Sequence, residues 1–125
     1  MPLSIIILDD DAVQVEMFNN IFRHRYDRNL VIPAFVKDGD EALAQLEKKQ
    51  GELNLIITDI SHPGVNGLDL ARACRKNHPN VIVLIQTAFG GDEYLSEAKK
   101  YADYLLQKPY KVHELTDIID HLLKI

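Results

Sequence analysis

The sequence predicts an α/β fold, with one doubly wound domain in which five helices cover both faces of five parallel strands. Short apolar runs alternate with helical patterns five times along the 125 residues, which is typical of parallel strands joined by right-handed crossovers. The apolar runs are continuous, as expected of strands that are buried on both faces. Polar residues follow four of the five runs, at the carboxyl ends of strands, where open parallel sheets bind ligands.

Five apolar runs define the predicted strands and suggest their order in the sheet. The predicted strands are residues 4–8, 30–36, 53–58, 81–86 and 103–106. The second run contains Pro33, which cannot donate a hydrogen bond to a neighbouring strand and therefore belongs at a sheet edge. The strand order 2-1-3-4-5 satisfies this constraint and places the first and third strands side by side at the topological switch point.

Helical spacing and local start and stop signals define the helices between the strands. The predicted helices are residues 11–25, 40–49, 67–77, 90–100 and 111–124, of which the fourth has the weaker pattern. The first helix carries an apolar stripe that includes Phe18 and Phe22, and Asp11 is expected to cap it. Asn66 is expected to cap the third helix, which ends before Pro79. The second helix is expected to dock through Leu43 and Leu46, and the apolar residues at helical spacing in the fifth helix are Val112, Leu115, Ile119 and Leu122.

The amino-acid composition argues against several kinds of site and partner. The formal net charge of −5 disfavours direct nucleic-acid binding by this domain, because phosphate contacts need clustered Lys and Arg. The one cysteine, Cys74, excludes an internal disulfide and a CxxC metal site. Apolar runs stay far below the roughly 18 residues of a membrane span, and the N-terminus lacks the features of a signal peptide. We expect a cytoplasmic protein that does not bind membranes.

The polar residues after the strands predict a site for a cation and a phosphoryl group. Asp9 and Asp10 follow the first strand, Asp59 follows the third, and Thr87 and Lys108 follow the fourth and fifth. Two like charges about 4 Å apart repel by about 4 kcal/mol at an effective dielectric of about 20, so converging carboxylates favour a bound cation or a retained proton. Hard oxygen ligands favour Mg²⁺, and aspartate is a known nucleophile in phosphoryl transfer.

Taken together, the order and spacing of these motifs resemble the response-regulator receiver domain of two-component signalling over essentially the whole chain. The matching pieces are Leu8-Asp9-Asp10-Asp11, the segment 59–67, Thr87-Ala88 and Lys108-Pro109-Tyr110. The resemblance implies a flavodoxin-like (βα)5 fold and a single receiver domain over residues 1–125, without an effector domain. It also implies that the protein is not an enzyme in the ordinary sense, because a receiver catalyses only its own phosphorylation and dephosphorylation.

The resemblance assigns a metal site and a phosphoacceptor. Asp59 corresponds to the phosphoacceptor and is also a ligand of Mg²⁺. Asp10 would bind the ion directly, Asp9 mainly through water, and Ser61 through its backbone carbonyl. Each of these aspartates also has a simpler interpretation, as a helix cap for Asp9 and Asp10 or as a turn residue for Asp59.

Two further residues correspond to the groups that bind the phosphoryl oxygens. Thr87 would donate its hydroxyl to one oxygen, and Lys108 would pair with another. The peptide bond between Lys108 and Pro109 is expected to be cis, as is usual in this family. A structural hydroxyl and a solvated loop lysine are the alternatives.

Several positions depart from the family pattern or modulate it. His62 replaces a common methionine and could make phosphorylation depend on pH near 6–7, unless it is only an exposed loop residue. Leu105 occupies the usual aromatic switch position, whereas Tyr104 should point to the opposite face of the strand, so we expect the threonine–aromatic coupling to be weakened or rerouted. Alternatively, the leucine simply packs and switching uses loop movement. Phe89 could shield the phosphoryl group from water or only anchor the loop.

The resemblance also implies the partners. The phosphoryl donor would be a histidine kinase, a phosphotransfer protein or a small phosphodonor, and the output would be an unknown protein target. Surplus apolar residues suggest a homodimer through the face of the fourth helix, fifth strand and fifth helix, although a broad core-facing stripe explains them equally well. These residues are Tyr94, Leu95, Tyr101, Tyr104, Ile118, Leu123 and Ile125.

Two other functions stay open at this point. A phosphorylation-independent docking module would keep the fold without switching, and Leu105 makes it more credible. An aspartate-nucleophile phosphatase would carry its nucleophile among residues 9–11, but the Asp-x-x-x-Pro loop begins at Asp59, and the chain is short for a substrate cap.

Overall fold

A computed structural model describes residues 2–49, 52–60, 67–87 and 92–124. Strands and helices alternate along these residues, as the sequence predicts. The elements are β1 (Leu3–Leu8), α1 (Ala12–Arg25), β2 (Val31–Val36), α2 (Gly39–Lys48), β3 (Leu53–Asp59), α3 (Gly67–Asn77), β4 (Ile82–Thr87), α4 (Asp92–Tyr101), β5 (Tyr104–Gln107) and α5 (Val112–Leu123). In the described residues, no helix is both long enough and apolar enough to cross a lipid bilayer.

The predicted bounds hold to within two residues, and the differences at the strand ends matter for the site. Asp59, Thr87 and Gln107 are the last residues of their strands, whereas the sequence pattern ends each strand one residue earlier. Hydrogen bonds between strands explain the extension. The N–H of Ile60 donates to the carbonyl of Gln86 at 2.9 Å, and the N–H of Lys108 donates to the carbonyl of Thr87 at 2.8 Å.

All strands are parallel, in the order β2-β1-β3-β4-β5, which confirms the predicted topology. β2 is an edge strand that pairs with β1, and Pro33 lies beside Ile5 in that pairing. Because proline lacks an N–H, its placement on an edge strand leaves the interior ladder intact. The order makes β1 and β3 neighbours, so that the ends carrying Asp9, Asp10 and Asp59 meet.

The sheet separates two apolar clusters. Ile5 and Ile7 of β1 point toward α1 and α5, where Phe18 is fully buried, and we call this the α1/α5 cluster. Ile6 and Leu8 point toward α2, α3 and α4, which cover the opposite cluster. Alternate residues of a strand point to opposite faces, so β1 contributes to both clusters, and each fully buried aliphatic side chain contributes about 1.5–3 kcal/mol.

Cys74 and Asp11 have the structural roles that the sequence suggests. Cys74 is buried in the cluster covered by α2, α3 and α4, and burial raises the pKa of its thiol to about 11. A thiol that stays protonated is unreactive at neutral pH. Asp11 caps α1 by accepting a hydrogen bond from the N–H of Val13 at 2.9 Å.

The helices on the two faces are tied together differently. The buried Tyr26 hydroxyl, just after α1, donates to Oδ1 of Asp120 in α5 at 2.7 Å, and Arg25 pairs with Oδ2 of the same carboxylate at 2.7 Å. On the other face, Arg72 of α3 lies over the ring of Tyr101 and 3.3 Å from Glu97 of α4. The ion pair between Arg72 and Glu97 is exposed and adds about 0–1 kcal/mol, whereas the hydrogen bond from Tyr26 to Asp120 is partly buried.

We predict that Tyr26→Phe lowers the free energy of unfolding by about 1–2 kcal/mol, because the hydroxyl loses its contacts with Asp120 and the carbonyl of Thr116 while Asp120 keeps Arg25. Urea denaturation should show this as a lower midpoint with an unchanged slope. An unchanged midpoint would mean that the hydroxyl does not stabilise the contact between α1 and α5.

Candidate functional site

Three carboxylates converge at the carboxyl edge of the sheet, as the sequence predicts. Asp9, Asp10 and Asp59 each offer an oxygen, and these oxygens lie within 4.8 Å of one another. The convergence follows from topology, since β1 and β3 are neighbours and both run toward this edge. Asp9 is buried, Asp59 is half-buried and Asp10 is exposed. The cluster is therefore open to solvent on the Asp10 side.

Asp9 is the most constrained of the three. Its Oδ1 accepts a hydrogen bond from the N–H of Asp11 at 2.9 Å, while Oδ2 is buried and has no hydrogen-bond partner in the part of the chain that the structure describes. Burial is the main reason that its pKa is raised to about 6, and the charge of Asp59 raises it further, against the N–H of Asp11 and the ammonium of Lys108. A buried oxygen without a donor is suited to a bound cation.

Lys108 supplies the positive charge of the site. Its Nζ lies 2.7 Å from Oδ1 of Asp59 and 3.9 Å from Oδ2 of Asp9. The ammonium therefore pairs mainly with Asp59. The Lys108–Pro109 peptide bond is cis, as the family resemblance implies.

Thr87 and Gly67 bring the backbone close to Asp59. Thr87 is buried at the end of β4, and its carbonyl accepts the N–H of Lys108. Gly67 begins α3 where a Cβ atom would overlap the carbonyl oxygen of Asp59, so only glycine allows this close approach. The N–H of Gly67 donates to the carbonyl of Ile60 at 3.0 Å, which fixes the start of α3 beside the phosphoacceptor candidate.

Leu105 and Tyr104 of β5 point to opposite faces of the sheet, as the sequence predicts. Leu105 pairs with Ile85 and packs into the cluster covered by α2, α3 and α4. Tyr104 packs into the α1/α5 cluster. The tyrosine therefore does not occupy the aromatic position of the family pattern, and a leucine lies there instead.

Some of the predicted positions lie outside the described residues. These are Ser61, His62, Asn66, Phe89 and Ile125, together with the side chain of Tyr94. Their assigned roles stay predictions.

The proposed dimer face is partly buried in the monomer. Leu95, Tyr101 and Tyr104 are half-buried, as are Ile118 and Leu123 of α5. Tyr101 packs on one cluster, and Tyr104, Ile118 and Leu123 pack on the other. This packing agrees with a broad core-facing stripe, and a homodimer stays a prediction.

Sequence reasoning missed Gln86. Its side chain is fully buried, and Oε1 accepts a hydrogen bond from the hydroxyl of Tyr110. Gln86 lies directly beside Asp59 in the pairing of β3 with β4. The available signal was an amide side chain at the end of the apolar run 81–85, where a buried polar group needs a partner.

Comparisons with known proteins place the chain in a family. The family model for the response regulator receiver domain matches residues 5–120. The chain is 29% identical over 116 residues to the DNA-binding response regulator MtrA of Mycobacterium tuberculosis (strain ATCC 25618 / H37Rv), a match that covers 92% of this chain and 48% of MtrA. The chain therefore spans about half of MtrA, and a smaller share, 14%, of a two-component response regulator from Arabidopsis thaliana.

Solved structures show the same fold. The structure of a DNA-binding response regulator of the LuxR family from Staphylococcus aureus superposes with a TM-score of 0.80 at 26% identity, over 96% of this chain and 98% of that chain. A response regulator receiver domain from Clostridium thermocellum superposes with a TM-score of 0.81 at 21% identity, over 98% and 94% of the two chains.

We predict that Asp9→Asn stabilises the metal-free protein at pH 8 by on the order of 2 kcal/mol. The pKa of Asp9 in the folded protein, about 6, lies above the usual 3.8. The folded state therefore binds the proton more tightly than the unfolded chain does, and wild-type stability falls as the pH rises from about 4 to 6. Asparagine has no charge to bury and avoids this loss.

Urea denaturation in EDTA at pH 4.5 and pH 8 measures the effect. The stabilisation should be small at pH 4.5 and complete at pH 8, and Asp11→Asn is the control, because asparagine caps a helix as well as aspartate does. Equal effects of Asp9→Asn at both pH values would show that burial of the Asp9 charge does not limit stability.

Proposed function

The chain belongs to the response regulator receiver domains of two-component signalling, and from this we propose that it accepts a phosphoryl group on Asp59 in a reaction that needs Mg²⁺. The observation that carries the proposal is the 2.7 Å contact between Lys108 Nζ and Asp59 Oδ1, beside the cluster of three carboxylates. The nucleophilic carboxylate of Asp59, the ammonium of Lys108 and the carboxylates that could bind a metal ion are thus within reach of one transferred phosphoryl group.

The residues present fit a divalent cation. Asp9, Asp10 and Asp59 would hold Mg²⁺, and the buried Oδ2 of Asp9, which has no hydrogen-bond partner in the described residues, supports this. The carbonyl of Ser61 is the proposed further protein ligand. When bound, the ion would neutralise charge on the equatorial phosphoryl oxygens.

The protein side chains would carry out the rest of the transfer. A carboxylate oxygen of Asp59 forms the new bond to phosphorus, and the bond from phosphorus to the donor breaks, leaving the electron pair on the histidine nitrogen of a phosphorylated partner or on the oxygen of acetyl phosphate. Lys108 then pairs with a phosphoryl oxygen near its present position, and the hydroxyl of Thr87 donates to another. Lysine is suited to this as a compact, movable charge.

The proposal extends to partners and output. A histidine kinase or phosphotransfer protein would donate the phosphoryl group, and small phosphodonors would replace it in vitro. Phosphorylation would bias the segment after β4, together with α4, between two arrangements and so change a protein-binding face. We infer a cytoplasmic location, no direct contact of this domain with nucleic acid, and no catalysis beyond its own phosphorylation and dephosphorylation.

One observation favours a second candidate, the phosphorylation-independent docking module. Leu105 packs into the core in place of the usual aromatic switch residue. A phosphatase with its nucleophile among residues 9–11 is less well supported, because Lys108 contacts Asp59 more closely than Asp9.

We predict that acetyl phosphate with Mg²⁺ adds one phosphoryl group to the protein, detected by intact mass, and that EDTA prevents the addition. Asp59→Asn should abolish labelling, because the nucleophilic oxygen is lost, whereas Asp11→Asn should be labelled like the wild type. Lys108→Ala should slow labelling about a hundredfold, as for the loss of one group that stabilises transition-state charge.

Two outcomes would contradict the proposal. Labelling that persists in Asp59→Asn would move the nucleophile to another residue. A wild-type protein that takes up no phosphoryl group from acetyl phosphate would favour the docking module.

A further inference from the structure

We propose that the hydrogen-bonded pair of the buried Gln86 and the half-buried Tyr110 positions Lys108, so that both residues control phosphoryl transfer without touching the phosphoryl group. The inference rests on the proposed function, in which Lys108 pairs with a phosphoryl oxygen. It assigns a role to two residues that lie outside the metal and phosphoryl site itself.

Gln86 lies between Asp59, at the end of β3, and Tyr110, which follows β5. It lies beside Asp59 in the pairing of β3 with β4 and is fully buried. Two residues earlier, Leu84 points into the α1/α5 cluster, and residues two apart on a strand share a face. The amide of Gln86 therefore enters the same face of the sheet, where Tyr110 also packs.

Tyr110 is a hydrogen-bond donor in this setting. Its hydroxyl donates to Oε1 of Gln86, and its ring packs against the α1/α5 cluster. Burial raises the pKa of Tyr110 well above its usual range, and the negative charges of Asp9 and Asp59 raise it further. The phenol is therefore protonated at neutral pH and can donate this hydrogen bond.

Two consecutive residues of β4, Gln86 and Thr87, form hydrogen bonds with the segment that carries Lys108. The carbonyl of Thr87 accepts the N–H of Lys108 at 2.8 Å, and Gln86 holds Tyr110 two residues later. The lysine chain that reaches Asp59 therefore starts from a backbone fixed before and after it. A misplacement of about 1 Å can cost about a hundredfold in rate, so such a support affects the transfer directly.

The chemistry of Gln86 argues for this role over simple packing. Its Nε2 is buried and makes no hydrogen bond within the described ranges of the chain. An apolar side chain of similar volume would fill this space without leaving a buried donor unpaired. The hydrogen bond from the Tyr110 hydroxyl therefore explains why residue 86 has an amide side chain.

The experiment compares two tyrosine-to-phenylalanine variants. Tyr110→Phe removes the hydroxyl that binds Gln86, and Tyr26→Phe is the matched control, because Tyr26 is buried in the same cluster and hydrogen-bonded to Asp120 instead. With acetyl phosphate and Mg²⁺, Tyr110→Phe and Gln86→Leu should each slow phosphorylation about three- to tenfold, the rate equivalent of one hydrogen bond. Tyr26→Phe should react at the wild-type rate.

Two further measurements separate positioning from general destabilisation. The double variant Gln86→Leu/Tyr110→Phe should be no slower than either single variant, because both remove the same contact. In a Lys108→Ala background, Tyr110→Phe should cause no additional loss. Additive losses, or a further loss without the lysine, would overturn the inference.

The outcome also distinguishes this inference from the proposed function. If the wild type is labelled and Tyr110→Phe reacts as fast as Tyr26→Phe, the proposed function stands and the positioning role is wrong. If the wild type is not labelled, amide hydrogen exchange of the unphosphorylated protein decides. The N–H of Lys108 should then exchange about tenfold faster in Tyr110→Phe than in Tyr26→Phe, and equal protection would overturn the inference.

Discussion

The sheet topology brings three carboxylates together at the site, and in the described residues the ammonium of Lys108 offsets part of their repulsion. Asp9, Asp10 and Asp59 meet because β1 and β3 are adjacent. Lys108 lies closer to Asp59 than to Asp9, which leaves Oδ2 of Asp9 buried and without a hydrogen-bond partner among the described residues. The site thus carries an excess of negative charge. Binding of a hard cation or of a phosphoryl group would change how these charges are paired.

Much of the fold and the site could be predicted from the sequence, because their signals are local. Continuous apolar runs identified the strands, and Pro33 identified the edge strand. The strand ends at Asp59 and Thr87 were missed by one residue, because hydrogen bonds from Ile60 and Lys108 to neighbouring strands extend them. Such bonds between distant segments leave no trace in local periodicity.

The Gln86–Tyr110 contact is a second case in which local sequence patterns do not predict a contact between distant residues. The sequence pattern identifies Tyr110 only as part of a motif and Gln86 only as the last residue of a predicted strand. Their hydrogen bond joins residues 24 positions apart, and only the register of β3, β4 and β5 places them together. The raised pKa of Asp9 is likewise a property of burial in three dimensions.

The helices on the two faces of the sheet are joined by different side-chain contacts. A buried hydroxyl and a charged pair join α1 to α5 through Asp120, whereas the ion pair that joins α3 to α4 is exposed. The contacts between helices therefore differ in their exposure to solvent on the two faces.

Pro33 has a consequence for how copies of this domain can meet. An open sheet can grow when a strand from another molecule adds to its edge. Here one edge strand has lost a donor at Pro33, and the opposite edge strand, β5, has only four residues. Neither border can template a long intermolecular ladder. High concentrations of the domain would therefore favour contacts through helices and loops over extension of the sheet.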